Sequence, residues 1–75
     1  MSNNYKNAYL LADILGGALG AMIYDGCRAA RLGLPASHPA TIKGGMALDD
    51  AYRIANGDDG RKLVEAAADE MGFYQ

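Results

Sequence analysis

From Tyr5 onward the apolar residues recur at helical intervals. Steps of about 100° per residue place Leu11, Leu15, Ala18, Leu19, Met22 and Ala29 on one broad face. Lys6, Asp13, Gly17, Gly20, Tyr24, Arg28 and Arg31 collect on the opposite side. This pattern predicts one long N-terminal helix from about Tyr5 to Arg31, capped by Asn3 or Asn4 and stopped by Gly33 and Pro35. Two places disturb it. Asp25 lands beside the apolar face and marks a break or shift of register near Gly26, and the pair Gly16-Gly17 is a second point where a helix can kink.

The chain from Leu32 to Gly45 reads as a loop, because Pro35 and Pro39 interrupt regular structure and Gly44-Gly45 mark a turn. A second helix is expected from about Met46 to Ala55, with Ala47, Ala51, Ile54 and Ala55 on its apolar side and Leu48 and Tyr52 flanking it. Asn56-Gly57 ends it, and Asp58 or Asp59 caps a third helix whose apolar positions, Leu63, Val64, Ala67, Ala68 and Met71, run to Gly72. Phe73 and Tyr74 are expected to fold back onto the core. The pattern therefore predicts a small all-α domain spanning residues 1–75, with three helices. The alternative is an α+β arrangement with a short strand near Thr41-Lys43.

Between Ala8 and Tyr24 lie 17 residues with a single charge, Asp13, and three glycines, Gly16, Gly17 and Gly20. Apolar runs of about 18 residues invite a membrane reading, but Asp13 would sit near mid-depth without a basic partner in the run. Packing within a soluble protein is expected instead. Glycine inside a helix costs about 1 kcal/mol relative to alanine, so close approach of another backbone should compensate. One reading docks an alanine-rich helix of the same chain on Gly17 and Gly20. The other makes them part of a partner-binding or homodimer surface, edged by Tyr9, Asp13 and Tyr24 with Arg28 and Arg31 beyond.

Charge sharpens the picture. The net charge is −2, but residues 1–37 balance Lys6, Arg28 and Arg31 against Asp13 and Asp25. Residues 38–75 carry Asp49, Asp50, Asp58, Asp59, Glu65, Asp69 and Glu70 against Lys43, Arg53, Arg61 and Lys62, seven acids to four bases. Such a half repels phosphate backbones and attracts basic surfaces, which argues against direct nucleic-acid binding. Asp49, Asp50, Glu65 and Asp69 form a second candidate partner-binding set, against the plainer reading of a solvated face with pairs such as Arg61 and Glu65. The lone thiol, Cys27, fits a reducing compartment, and Met1 to Lys6 lack the pattern of a secretory signal, so the chain reads as an intact cytoplasmic product.

Catalytic and ligand-binding chemistry finds little support. Aligning Gly60 with the glycine of a calcium loop puts Ala55, Gly57 and Ala66 where oxygen ligands belong. One cysteine and one histidine do not complete a structural zinc site, so no metal or cofactor is expected. Cys27 and His38 would make a nucleophile and base only if the loop brought them together, and each has a simpler reading as a packing residue and a loop residue. Lys43-Gly44-Gly45 lacks the order of a phosphate loop.

In size, acidity and lack of a catalytic signature, the chain resembles the small inhibitors encoded by phages and mobile elements, including anti-CRISPR proteins. That resemblance is one of class and rests on no particular residues. It implies a non-enzymatic interaction protein that blocks or modulates a macromolecular partner by occupying a basic, nucleic-acid-binding surface. The competing expectations are a helical structural or regulatory protein that dimerises through its glycine-rich face, and an accessory subunit or degenerate enzyme using Cys27 and His38.

Overall fold

A glycine pair turns the chain back where the apolar pattern predicts one long helix with at most a kink. The computed structural model describes residues 4–73 and folds them into α1 (Lys6–Leu15), α2 (Gly17–Arg31), α3 (Pro39–Ile54) and α4 (Gly57–Glu70). The all-α expectation holds, and the described residues contain no strand. The single N-terminal helix does not: Gly16 adopts φ 61° and ψ −172°, and Gly17 follows at φ 53°. These angles are open to glycine and strained for other L-residues, so the pair forms a hinge rather than a kink. Gly16 serves both helices, donating its N–H to Ala12 O at 2.9 Å and accepting from Gly20 N–H at 2.8 Å.

Beyond the hinge α2 returns along α1 as an antiparallel hairpin, bringing Arg31 to Tyr9. The turn also resets the apolar period. Ala8, Leu11 and Ala12 are buried on α1, and Gly20, Ile23, Gly26, Cys27 and Ala29 on α2, whereas Ala18, expected on the buried face, is exposed. The hinge also divides the apolar stretch, and no helix of the described residues is long and apolar enough to cross a membrane.

The expected loop is shorter and α3 longer than the sequence pattern predicts. Pro39 stands at the first helical position, where its missing N–H has no helical partner to lose, and His38 caps the turn, its Nδ1 accepting from Ala40 N–H at 3.1 Å. Thr41, Ile42 and Lys43 are helical, so the strand alternative is not needed. Gly44 and Gly45 lie inside α3 rather than in a turn. A Cβ on Gly44 would stand 2.7 Å from Gly26 Cα, so the two backbones cross in contact, under the Met71 methyl. Phe73 lies over Gly45 but stays 37% exposed, outside the buried core it was expected to join, and Tyr74 lies outside the described residues. On α3 the inward set is Gly44, Ala47, Leu48 and Ala51, so Leu48 exchanges roles with Ile54, which is exposed.

At α4, Asn56 occupies the cap position without a side-chain bond, and Asp58 and Asp59 fall in the first turn rather than before it. There their charges still favour the positive end of the helix dipole. The start of α1 is capped from afar. Tyr5 sits at φ 47° with no side-chain bond of its own, while Asn4 Oδ1 accepts from Lys6 N–H at 3.2 Å. Glu70 accepts from Asn7 N–H at 3.2 Å, from Ala8 N–H at 2.9 Å and from Asn7 Nδ2 at 2.8 Å. The first three amides of α1, which no helical carbonyl can satisfy, are thereby paired. Ile23, Cys27 and Val64 form the fully buried centre on which all four helices converge.

Candidate functional site

The hairpin of α1 and α2 gathers residues that the sequence scatters. Tyr9 and Tyr24 stack with ring centroids 5.6 Å apart at 30°, Tyr5 tilts against Tyr9 at 6.4 Å, and Arg31 Nη1 donates to Tyr9 Oη at 2.8 Å. Tyr24 Oη donates to Asp13 Oδ1, and that bond, by holding the phenolic proton, raises the Tyr24 pKa above its ordinary value. Tyr9, Asp13, Tyr24 and Arg31 thus form one cluster across the two helices, two hydrogen bonds joined by the tyrosine stack. Beside it a shallow depression of about 310 Å³ is lined by Asp13, Gly16, Gly17, Gly20 and Tyr24.

The glycines themselves divide. Gly20 is buried against α1, where a Cβ would stand 2.5 Å from Ala12 O, so the close neighbour is the first half of the expected helix rather than a later one. Gly17 is exposed, and a Cβ there would meet nothing within 4 Å.

The acidic residues of α3 and α4 other than Glu70 are exposed. Asp50 pairs with Arg53 at 3.4 Å, and Arg61 pairs with Asp58 at 2.7 Å rather than with Glu65. Asp49, Glu65 and Asp69 stand exposed. On α4, Asp58, Glu65 and Asp69 share one stripe by helical register, with Lys62 among them.

Cys27 and His38 occupy settings of a different kind. The thiol is fully buried, and burial pushes its pKa up to about 11, with Glu70 adding to the rise and Arg31 opposing it. His38 uses Nδ1 as the α3 cap. Among the described residues no three His, Cys, Asp or Glu side chains group as a metal site.

One feature is absent from the sequence reading. The ends of α1 and α3 and the start of α4 enclose an open apolar groove of about 300 Å³, lined by Leu11, Ile14, Leu15, Ala51, Ile54 and Leu63 among others. Ile14 is 64% exposed and Ile54 62%, values uncommon for side chains of this type. The available signal was an isoleucine on α1 outside the i, i+3, i+4 series that buries Ala8, Leu11 and Ala12. A second cavity, about 330 Å³, lies between Ala30, Leu34, Thr41, Met71 and Phe73, and the Thr41 hydroxyl oxygen is buried without a hydrogen-bond partner. Comparison with protein-family models, with curated proteins and with solved structures finds no match.

Proposed function

We propose that this is a small acidic binding protein that occupies a basic surface of a macromolecular partner, such as a nucleic-acid-binding groove, and blocks or modulates that partner without catalysis. The class would be that of phage and mobile-element inhibitors, anti-CRISPR proteins among them, acting in the cytoplasm. The observation that carries the reading is the outward display of Asp49, Glu65 and Asp69 on α3 and α4, while the local arginines are taken up by Asp50 and Asp58. Carboxylates so placed steer association with a positive surface. Dimerisation through the glycines is less favoured, because Ala12 of the same chain already covers Gly20.

The test is kinetic. A partner captured from host lysate is immobilised, and association is followed for the wild type and for Asp49→Lys, Glu65→Lys and Asp69→Lys combined. Association should slow by about tenfold or more in the variant, and in the wild type as salt rises from about 0.1 M to 1 M, which shortens the screening length from about 10 Å to 3 Å. The melting temperature should hardly move, since exposed charges usually shift stability by less than about 0.5 kcal/mol. An affinity indifferent to both salt and the reversals would overturn the proposal.

A further inference from the structure

We infer that α1 is exchanged between copies of this chain: Gly16–Gly17 straightens, Lys6 to Arg31 become one helix, and α1 takes the seat on α2 and α4 of a second copy in a two-fold dimer. The occupant of that seat is either the chain's own α1 or that of its twin. Gly20 stays covered by an Ala12 in both arrangements, so this is not the docking of closed hairpins through their glycines. Asp49, Glu65 and Asp69 lie on α3 and α4, outside the exchanged segment, and monomer and dimer display them alike.

The joint is as short as a reversal can be. Gly16 ends α1 and precedes α2 with no residue between, so the turn rests on two glycines at φ 61° and φ 53°. Hinges without slack are where elements pass from one copy to another. Straightening also forms backbone hydrogen bonds that the reversal forbids. The N–H groups of Gly17, Ala18 and Leu19 open α2, and the C=O groups of Asp13, Ile14 and Leu15 close α1, so neither set has a partner within its own helix. In one continuous helix each of these amides meets the carbonyl four residues before it. Leu11, Leu15, Leu19 and Met22 keep one apolar face across the joint, so the straight helix is amphipathic along its length.

The contact between α1 and α2 has the symmetry that exchange requires. In the closed hairpin α1 presents Tyr9, Ala12 and Asp13 to α2, and α2 presents Gly20, Tyr24 and Arg31 in return. At about 100° per residue all six fall within an arc of about 120° on one straight helix, with Gly16 among them. A two-fold dimer joins the same patch on both copies, and here the two halves of one helix supply that single patch. Tyr9 stacks on Tyr24 and Ala12 lies on Gly20, pairs centred on Gly16–Gly17. Two straight helices laid antiparallel, with their glycine pairs at the crossing, remake these contacts between copies, and the missing side chains let the backbones cross closely. The first turn of α1 is remade as well, because Asn7 and Ala8 reach the Glu70 of the second copy.

The experiment combines sedimentation velocity on the full chain with isotope-filtered NMR on mixed labelled and unlabelled protein. Wild type refolded from urea at about 1 mM, where concentration favours exchange over closure, should contain a dimer. Gly16→Ala with Gly17→Ala disfavours the left-handed reversal and favours the straight helix, so its dimerisation constant should exceed the wild type's by about tenfold or more. Inserting Gly-Ser-Gly between Gly16 and Gly17 relaxes the reversal and interrupts the long helix, and should leave the protein monomeric. In the dimer, ring contacts between Tyr9 and Tyr24 should connect labelled to unlabelled copies. A wild type that stays monomeric after this refolding would overturn the inference whatever the double variant does. So would a folded double variant that associates no better than the wild type, an insertion variant that still dimerises, or a dimer whose Tyr9–Tyr24 contacts all lie within one copy, since that dimer would join closed hairpins.

Discussion

At Gly20 the missing Cβ is a matter of space, and at Gly17 it is a matter of dihedral angle. Alanine at position 20, inside α2, gains about 1 kcal/mol of helix propensity. At position 20 that gain meets a backbone oxygen, Ala12 O at 2.5 Å, which moves only if the whole hairpin opens. Gly20→Ala should therefore cost about 1–3 kcal/mol net in urea unfolding and weaken the near-ultraviolet circular dichroism of the Tyr9–Tyr24 stack. At position 17 the site is empty but φ is 53°, a left-handed conformation that costs an L-residue about 1–2 kcal/mol. Gly17→Ala should lose stability yet leave the tyrosine signal intact. D-alanine, placed at position 17 by chemical synthesis, tests the dihedral cause: it should restore stability there, and continued loss would mean that the left-handed φ of Gly17 is not its source.

Among the helices, α1 depends on α4 for its first turn. A carboxylate at the end of α4 opposes that helix's own dipole, but Glu70 faces the start of α1, where the dipole favours it and where Asn7 and Ala8 offer their amides. Glu70→Ala should cost about 1–3 kcal/mol, and Glu70→Gln less, since an amide oxygen still accepts a bond. Hydrogen exchange locates the effect: Asn7 and Ala8 amides should exchange faster while those of α3 do not, and uniform protection in the alanine variant would dismiss the cap. No sequence signal joins residues 7 and 70, so this contact was illegible. The end of α2 near Gly33 and the extent of α4 were legible, because caps, glycine and apolar spacing agree there. The hinge at Gly16 was legible only as a place where one helix can kink, because the apolar residues continue in phase across it and only the fold-back reveals a second period. Gly44 misled for a related reason: a glycine that looks like a turn is required by the Gly26 backbone crossing it. Tyr9, Asp13 and Tyr24 were recognisable as surface residues, but their union depends on that same hairpin. The apolar groove needs three helix ends to meet.

The molecule as a whole carries a reporter of its integrity in Cys27. The thiol is 0% exposed and belongs to the buried cluster that also holds Leu11 of α1, Ala47 of α3 and Val64 of α4, so its exposure reports on the core that the helices share. Reaction with a disulfide reagent in mild urea should appear with the same midpoint as loss of helical circular dichroism, as expected of a small cooperative domain. Its pKa adds a second reading. Burial raises it from 9.0 to about 11, so between those values the unfolded chain has released a proton that the folded chain retains. Folding stability should therefore be constant with respect to this group below about pH 9, fall as pH rises, and level off above about pH 11. The comparison is with Cys27→Ala, measured by urea unfolding across the window, so that the thiol's own contribution is read as the difference. The alanine variant begins less stable, having lost a buried sulfur, and its deficit should shrink as pH climbs. A deficit that stays constant from pH 8 to about 11 would mean that water reaches the thiol in the folded state and that the four helices close less tightly around it than their packing requires.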